Sequence, residues 1–313
     1  MNNVLVTCPP MLGQIDSLRD YAKSKGIELH AQNVVQTLSE EELIEKVPLY
    51  EGWIIGDDPA SRKVFEAAKK GKLKAALKWG IGVDNVNFDA CRDLNIPFTN
   101  TPNMFGGEVA DVAVGYLMGL ARDLFSIDRD IRAKLSWPKP AGISVSGKSV
   151  GVVGFGDIGY QLAKRLIGFD VNIVAYDPGV EGSRALESVV RKTWGDGLDT
   201  LDFLIFTCSL NKHNYHMLDT DSISKLKRGC YVINVARGPL IDEEALLAAL
   251  RSGHIAAAAL DVFEREPLPE SSELRSFPKC IFGSHNGSNT VEAVKRASIE
   301  AINKLADFLN EKN

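Results

Sequence analysis

The sequence predicts an α/β protein made of two doubly wound parallel-sheet domains, and three observations carry that reading. Residues 149–153 are a short apolar, β-branched run ending on Gly154, and Gly154, Gly156 and Gly159 then set a GxGxxG spacing at the opening of an amphipathic segment. A second β-branched run, 171–176, ends in Asp177, 18 residues past Gly159, where a dinucleotide-binding βαβ unit needs a carboxylate for the ribose hydroxyls. Strand-like and helix-like stretches also alternate on both sides of this unit, the pattern of parallel sheets covered on both faces. The architecture expected is a Rossmann nucleotide domain inserted into a flavodoxin-like domain.

The first hundred residues set up the first sheet. Residues 4–7, 27–31, 53–55 and 73–78 read as strands, with helices over 13–24, from a capping box at Ser39 and Glu42 to Lys46, and over 62–69 before Gly71. A short strand at 96–98 leads to a hinge at 100–103, and 109–121 reads as a buried helix whose small residues permit close packing. The stretch 125–146 is charged and then rich in Pro and Gly, with Trp137 exposed to a packing partner. After Asp177 the alternation resumes with strands at 203–207, 231–235, 256–261 and 281–283 and helices at 222–227 and from Asp242 to Gly253. The amphipathic helix 291–309 has no further domain to join and is expected to cross back to the first one. The domains expected are therefore 1–100 with 288–313, and 101–287.

At 313 residues the chain is long enough for two cores. Its net charge of −5 argues against a nucleic-acid surface or an anionic membrane as partner. The N-terminus enters a strand-like run directly, without a signal segment, and no window approaches 18 consecutive apolar residues, so a cytoplasmic protein is expected. The five cysteines are scattered and mostly inside apolar runs, which suits reduced, buried thiols. His213 and His216 have a possible ligand spacing, but with no matching Cys, Asp or Glu cluster they read as a polar loop, and no metal is expected.

Ligands of such sheets bind past the carboxyl ends of the strands. Three strong groups stand there: Arg237 in NVARGP, Glu266 in LDVFEREP and His285 in FGSHNGSNT. An arginine is a natural fork for a carboxylate, and a histidine beside a carboxylate is an acid or base for neutral pH. Singly, Arg237 also reads as a surface ion pair and His285 as a loop histidine; their shared position at strand ends favours a site for a hydroxy acid. In the first domain, Gly80 and Gly82 follow the last long strand and either leave amides free for an anion or simply make a turn. Asp177 faces the position of a 2′-phosphate, so NAD is expected over NADP.

The stretches WGIGVDNVNFDAC, IPFTNTPN, GKSVGVVGFGDIG with Asp177, INVARGPLIDEEAL, AALDVFEREPL and SHNGSNTVEA, in this order over nearly the whole length, resemble the D-isomer-specific 2-hydroxyacid dehydrogenase family, and within it the phosphoglycerate dehydrogenase-like branch. The resemblance implies a split substrate domain, NAD as cofactor, a homodimer, a small 2-hydroxyacid substrate and a catalytic trio of Arg237, Glu266 and His285. Gly154, Gly156, Asp157, Ile158, Gly159, Asp177, Thr207, Ala236 and Asp261 would then bind the cofactor, with Asp261 near the nicotinamide carboxamide. Lys78, Gly80, Ile81 and Gly82 would bind substrate. Arg237 and the 80–82 backbone would hold the carboxylate while His285, its imidazole oriented by Glu266, exchanges a proton with the hydroxyl.

The chain departs from the family pattern where Asp157 replaces a basic residue beside the pyrophosphate. It departs again where Gly56, Asp57 and Asp58 occupy a strand end that carries an arginine in phosphoglycerate enzymes. Lys78 either replaces that arginine as a point charge for a phosphate, which makes 3-phosphoglycerate and 3-phosphohydroxypyruvate the expected pair, or is a solvated strand-end lysine. A glyoxylate, hydroxypyruvate or other small 2-oxoacid reductase is the alternative. A reading of another class is an NAD-sensing corepressor of the same fold, which a turnover assay separates.

Overall fold

The computed structural model describes residues 1–134, 136–179 and 186–311. Two compact units divide the chain, Met1–Phe105 with Asn289–Asn313 and Gly106–Ser288.

In the first unit, β1 (Asn2–Val6) leads into α1 (Pro9–Leu12) and α2 (Ile15–Ser24). The helix expected over 13–24 is α2, and the short α1 before it was not foreseen; Pro9 and Pro10 suit a first turn whose amides have no intrahelical acceptor, and the Gly13 amide closes that turn on the Pro9 carbonyl at 3.0 Å. Then come β2 (Ile27–Ala31) and α3 (Glu40–Lys46), whose capping box forms in both directions: the Glu42 amide donates to Ser39 Oγ at 3.2 Å and the Ser39 amide to Glu42 Oε2 at 2.9 Å.

β3 (Gly52–Ile55), α4 (Arg62–Lys70), β4 (Ala75–Lys78), α5 (Phe88–Asp93) and β5 (Phe98–Asn100) complete this stretch. The six-residue α5 has too short a pattern to be read from sequence; Asn87 caps it by accepting the Ala90 amide at 2.8 Å. β5 starts later than the strand expected at 96–98. Ile96 is 4% exposed in the core, and Pro97 has no amide for a ladder. Among the described residues five strands pair in the order β2-β1-β3-β4-β5, all parallel, so the order reverses between β1 and β3. Phe105 stays with this unit, its ring 4.8 Å from that of Trp79, which carries the boundary past residue 100.

The second unit opens on the buried, apolar α6 (Gly106–Ala121). α7 (Leu124–Lys134) follows where only a charged stretch was foreseen; its polar face masks an ordinary helix, laced by an Asp128–Arg132 pair at 2.9 Å. The nucleotide core is β6 (Ser149–Val153), α8 (Asp157–Leu166), β7 (Asn172–Tyr176), β8 (Val189–Arg191), β9 (Phe203–Phe206), α9 (Thr220–Lys225), β10 (Cys230–Asn234), α10 (Glu243–Arg251), β11 (Ile255–Leu260) and β12 (Ile281–Phe282). β8 is a three-residue edge strand that the sequence pattern was too short to reveal. α9 begins two residues before the expected start because Asp219, not Ser222, is its cap, accepting the Ser222 amide at 2.9 Å.

Among the described residues seven parallel strands order as β12-β11-β10-β9-β6-β7-β8, the nucleotide-binding order that reverses between β6 and β9.

The chain then returns as α11 (Val291–Asn310), capped by Thr290, whose hydroxyl accepts the Ala293 amide at 3.1 Å. Its buried face, with Ala297, Ala301 and Leu305, packs on β3 and β4 of the first unit. Ser298 accepts the Trp79 indole N–H at 3.1 Å, and the Tyr21 hydroxyl reaches Asn303 at 2.7 Å.

Candidate functional site

The glycine turn between β6 and α8 has room for a ligand at one glycine and for nothing at the other two. Gly154 has φ +88°, and a Cβ there would lie 2.6 Å from the Cys208 backbone. A Cβ on Gly159 would lie 2.0 Å from the Gly154 carbonyl oxygen. A Cβ on Gly156 would meet nothing within 4 Å, so its backbone faces open space. Gly156 is the N-cap of α8 and makes no side-chain cap, so the first amides of the helix, at Asp157, Ile158 and Gly159, have no intrahelical acceptor and can take a pyrophosphate.

Asp157 raises no barrier to that anion from a free position. Its carboxylate packs against Gly106 at the N-terminus of α6, where a Cβ would fall 2.2 Å from Oδ2 and where a helix dipole favours negative charge.

Asp177 follows β7 and is held from two sides. Oδ2 accepts the Phe155 amide at 2.6 Å and Oδ1 the Gly179 amide at 2.8 Å, leaving further lone pairs for ribose hydroxyls. The Thr207 hydroxyl lies 2.7 Å from the Gly154 carbonyl, tying the end of β9 to the glycine turn. Next to it, burial pushes the Cys208 thiol up to about 12, so it stays neutral at physiological pH.

The residues after β10, β11 and β12 gather a second set of groups. Asn234 is 1% exposed and clamps the NVARGP loop: its Oδ1 accepts the Ala236 amide at 3.0 Å and its Nδ2 donates to the Arg237 carbonyl at 2.8 Å. Asn234 was not singled out from the sequence, although the asparagine two residues before an Ala-Arg-Gly turn is the available signal. Arg237 Nη1 donates to the Ala236 carbonyl at 2.8 Å. Gly238 lets this loop press on the LDVFEREP loop, since a Cβ would lie 1.9 Å from the Phe263 carbonyl.

In that second loop Glu266 Oε1 accepts the Phe263 amide at 3.0 Å, and Oε2 lies 2.8 Å from His285 Nδ1. His285 adopts φ +56°, with its amide on the Asp261 carbonyl at 2.7 Å. Asp261, buried at 3% exposure, accepts the Gly287 amide at 2.8 Å and the Tyr116 hydroxyl at 3.1 Å. Burial, then the Asp261 charge, hold the Tyr116 hydroxyl well above the usual phenol range, so it remains a donor. A cavity of about 360 Å³ opens beside these two residues and reaches Ser284 and Asn286, the neighbours of His285.

In the first unit the strand ends are more closed than the sequence suggested. The Gly80 amide donates to Thr101 Oγ1 at 2.8 Å, so it is not available to an anion. Gly80 has φ +117°, and the Asn100 side-chain amide holds the Ile81 carbonyl at 3.1 Å. The amides of Ile81 and Gly82 have no hydrogen-bond acceptor among the described residues. Lys78 is neither solvated nor free: it is 3% exposed, with Nζ 3.0 Å from Asp57 Oδ1 and 3.2 Å from the Trp79 carbonyl.

Elsewhere in the second unit, His216 has acidic neighbours that the sequence hid. Nε2 is 2.8 Å from Glu264 Oε1 and Nδ1 is 4.0 Å from Asp242 Oδ2. Glu264 and Asp242 lie 48 and 26 residues away in the chain.

The family model of the D-isomer-specific 2-hydroxyacid dehydrogenase NAD-binding domain matches residues 114–287. The chain belongs to that family. It is an NAD-dependent oxidoreductase acting between 2-hydroxyacids and 2-oxoacids. It is similar to a glyoxylate reductase of Thermofilum pendens, with 36% identity over 81% of this chain and 77% of that protein. A D-3-phosphoglycerate dehydrogenase of Archaeoglobus fulgidus is 32% identical over 88% of this chain, which spans 52% of that longer protein. Among solved structures, D-lactate dehydrogenase of Escherichia coli superposes with a TM-score of 0.85 at 26% identity, covering 100% of this chain and 98% of that one. Among the described residues no helix of this dehydrogenase is long and apolar enough to cross a membrane.

Proposed function

We propose that His285 is the proton donor and acceptor of this dehydrogenase, that Glu266 positions it, and that Arg237 binds the substrate carboxylate. The observation that carries the reading is the 2.8 Å contact of His285 Nδ1 with Glu266 Oε2, while the other Glu266 oxygen is fixed by the Phe263 amide. A carboxylate on Nδ1 selects the tautomer with its hydrogen there, leaves Nε2 to exchange a proton with the substrate oxygen, and stabilises the imidazolium. Bound NAD supplies the hydride acceptor, and NADH the donor. Arg237 matches a carboxylate as a planar fork. Asp261, through its own acceptor atoms, orients the nicotinamide amide, and the amides of Ile81 and Gly82 add donors for the carboxylate end of the substrate.

We also infer a homodimer in the cytoplasm. Leu124, Phe125 and Trp137 are 51%, 49% and 78% exposed along one stretch, which suits cover by a second copy, and the free cysteines suit a reducing compartment. Sedimentation at micromolar concentration tests the dimer.

A panel of 2-oxoacids with NADH tests the activity. His285→Ala is expected to lower kcat by about a hundredfold to ten-thousandfold while NAD affinity, read by fluorescence titration, is unchanged. Near wild-type turnover in that variant overturns the assignment of His285. Arg237→Ala is expected to act mainly on KM.

A further inference from the structure

We propose that Tyr116 is a positioning residue for the cofactor: its hydroxyl holds the Asp261 carboxylate so that the remaining lone pairs take the amide hydrogens of the nicotinamide. The inference rests on the reading of Asp261 given above, and every residue it uses belongs to the second unit.

Asp261 follows β11, and its backbone is pinned on both sides. Its amide donates to the Asn234 carbonyl at 2.9 Å, and its carbonyl accepts the His285 amide at 2.7 Å. The residue is thereby set between the loops that carry Arg237 and His285, and what is left to fix is the direction of the carboxylate. Two donors fix it. The Gly287 amide donates to Oδ2 at 2.8 Å, and the Tyr116 hydroxyl, from α6 and 145 residues earlier in the chain, donates to Oδ1 at 3.1 Å.

The surrounding backbone is shaped for this contact. A Cβ on Gly283 would fall 2.0 Å from Asp261 Oδ1 and 2.3 Å from the Tyr116 hydroxyl oxygen, and one on Gly287 would fall 3.1 Å from Asp261 Oδ2. The phenol therefore reaches the carboxylate because residue 283 has no side chain. Burial and the neighbouring charge keep it protonated, so it meets the carboxylate as a donor.

Among the described residues these two neutral groups are the hydrogen-bond donors to the side chain, which fills two of the roughly four acceptor sites of a carboxylate. At 3% exposure the remaining sites are costly to leave unpaired. A carboxamide suits them, since it brings two N–H donors, and the cavity of about 360 Å³ bordered by both side chains gives a ligand room beside the pair. Phenylalanine would fill the same space as Tyr116 without holding Oδ1, so the hydroxyl contributes this one bond.

The test is binding. Titration calorimetry on the wild type and on Tyr116→Phe compares NAD with its 3-acetylpyridine analogue, whose methyl ketone has no N–H, and with ADP-ribose, which lacks the ring. The wild type is expected to bind NAD at least about tenfold more tightly than the analogue, and Tyr116→Phe to shrink that preference about threefold or more while ADP-ribose binds both proteins alike. A smaller change in the preference, or a comparable loss for ADP-ribose, overturns the role of Tyr116 and leaves the reading of Asp261 intact. A wild-type preference below about tenfold overturns the reading of Asp261, and the proposal with it. If Tyr116→Phe does not fold, 3-fluorotyrosine in place of Tyr116 is followed by its fluorine resonance. A larger shift with NAD than with the analogue supports the proposal, and an equal or smaller one overturns it.

Discussion

The two sheets of this chain are built alike at their amino ends and differently at their carboxyl ends. In the first unit Glu51, just before β3, accepts the Asn3 amide in β1 at 2.8 Å; in the second, Asp202, just before β9, accepts the Ser149 amide at the start of β6 at 3.0 Å. Each acid caps an amide of the strand at its order reversal and has a lysine nearby, Lys74 for Glu51 and Lys227 for Asp202. At the carboxyl ends the likeness stops. Between β1 and β3 the crevice is filled by the chain's own carboxyl group, that of Asp58, bonded to Thr7, Leu38 and Gly56. Between β6 and β9 it is lined by the glycine turn, with Gly156 facing open space. A doubly wound sheet thus offers an anion slot at its order reversal, and whether a cofactor can use it depends on whether a side chain already does.

The largest effect expected from this contrast is cofactor discrimination in the open slot. Asp177 is anchored by two amides and cannot swing away from a 2′-phosphate. Two unit charges about 4 Å apart at an effective dielectric near 20 repel by about 4 kcal/mol, and Arg191, whose guanidinium lies 5.8 Å from the Phe155 ring, offsets part of this. NAD should therefore exceed NADP in kcat/KM by roughly a hundredfold to a thousandfold. Comparable values for the two cofactors would break the assignment of Asp177.

The next effect lies in the filled slot. Asp58→Ala removes the acceptor of two buried amides and a hydroxyl, each costing about 1 to 3 kcal/mol when unpaired, so the unfolding free energy should fall by about 3 kcal/mol or more in urea titration. A loss under 1 kcal/mol would mean that the slot is not held by this acid.

A sharper contrast comes from glycine alone. Gly156→Ala should change stability by no more than about 1 kcal/mol, because its Cβ meets open space, yet weaken NAD binding, because that space belongs to the ligand. Gly159→Ala should be the more destabilising of the two, its Cβ falling 2.0 Å from a carbonyl oxygen. Equal melting temperatures for the two variants would contradict the difference.

The smallest effect tests the likeness at the amino ends. Burial opposes ionisation of Glu51 and Asp202, but the Asn3 amide for Glu51, and Lys227 with the Ser149 amide for Asp202, hold both carboxyls below the ordinary range. An acid with a depressed folded pKa contributes stability above its unfolded pKa, about 4, and that contribution is lost as pH falls through the folded value. Glu51→Gln and Asp202→Asn should each cost about 1 kcal/mol or less at pH 7, with the difference from wild type shrinking below about pH 4. A cost that persists at pH 3 would show that packing, not charge, is responsible.

Much of this was legible in the sequence because it is local. The GxGxxG spacing with Asp177, the capping box at Ser39 and Glu42, and Arg237, Glu266 and His285 just past three apolar runs are short-range patterns, and short-range patterns fix strands, turns and helix starts. The elements missed, α1, α5, β8 and α7, are too short or too polar on their visible faces to stand out by periodicity.

What only the tertiary structure decided is which charges meet. That Lys78 is compensated by Asp57, that Asp58 fills the crevice beside β1, that Gly80 gives its amide to Thr101 and that Asp157 turns toward α6 are contacts across 21, 51, 21 and 51 residues of chain. A residue's type states what bonds it can make, but buried polar groups take the partners that packing brings within reach, and packing is a property of the whole folded unit. The sequence determined that this chain is a nucleotide-binding α/β protein with a histidine, a glutamate and an arginine at its strand ends; the fold decided that the strand-end Lys78 is buried and paired with Asp57.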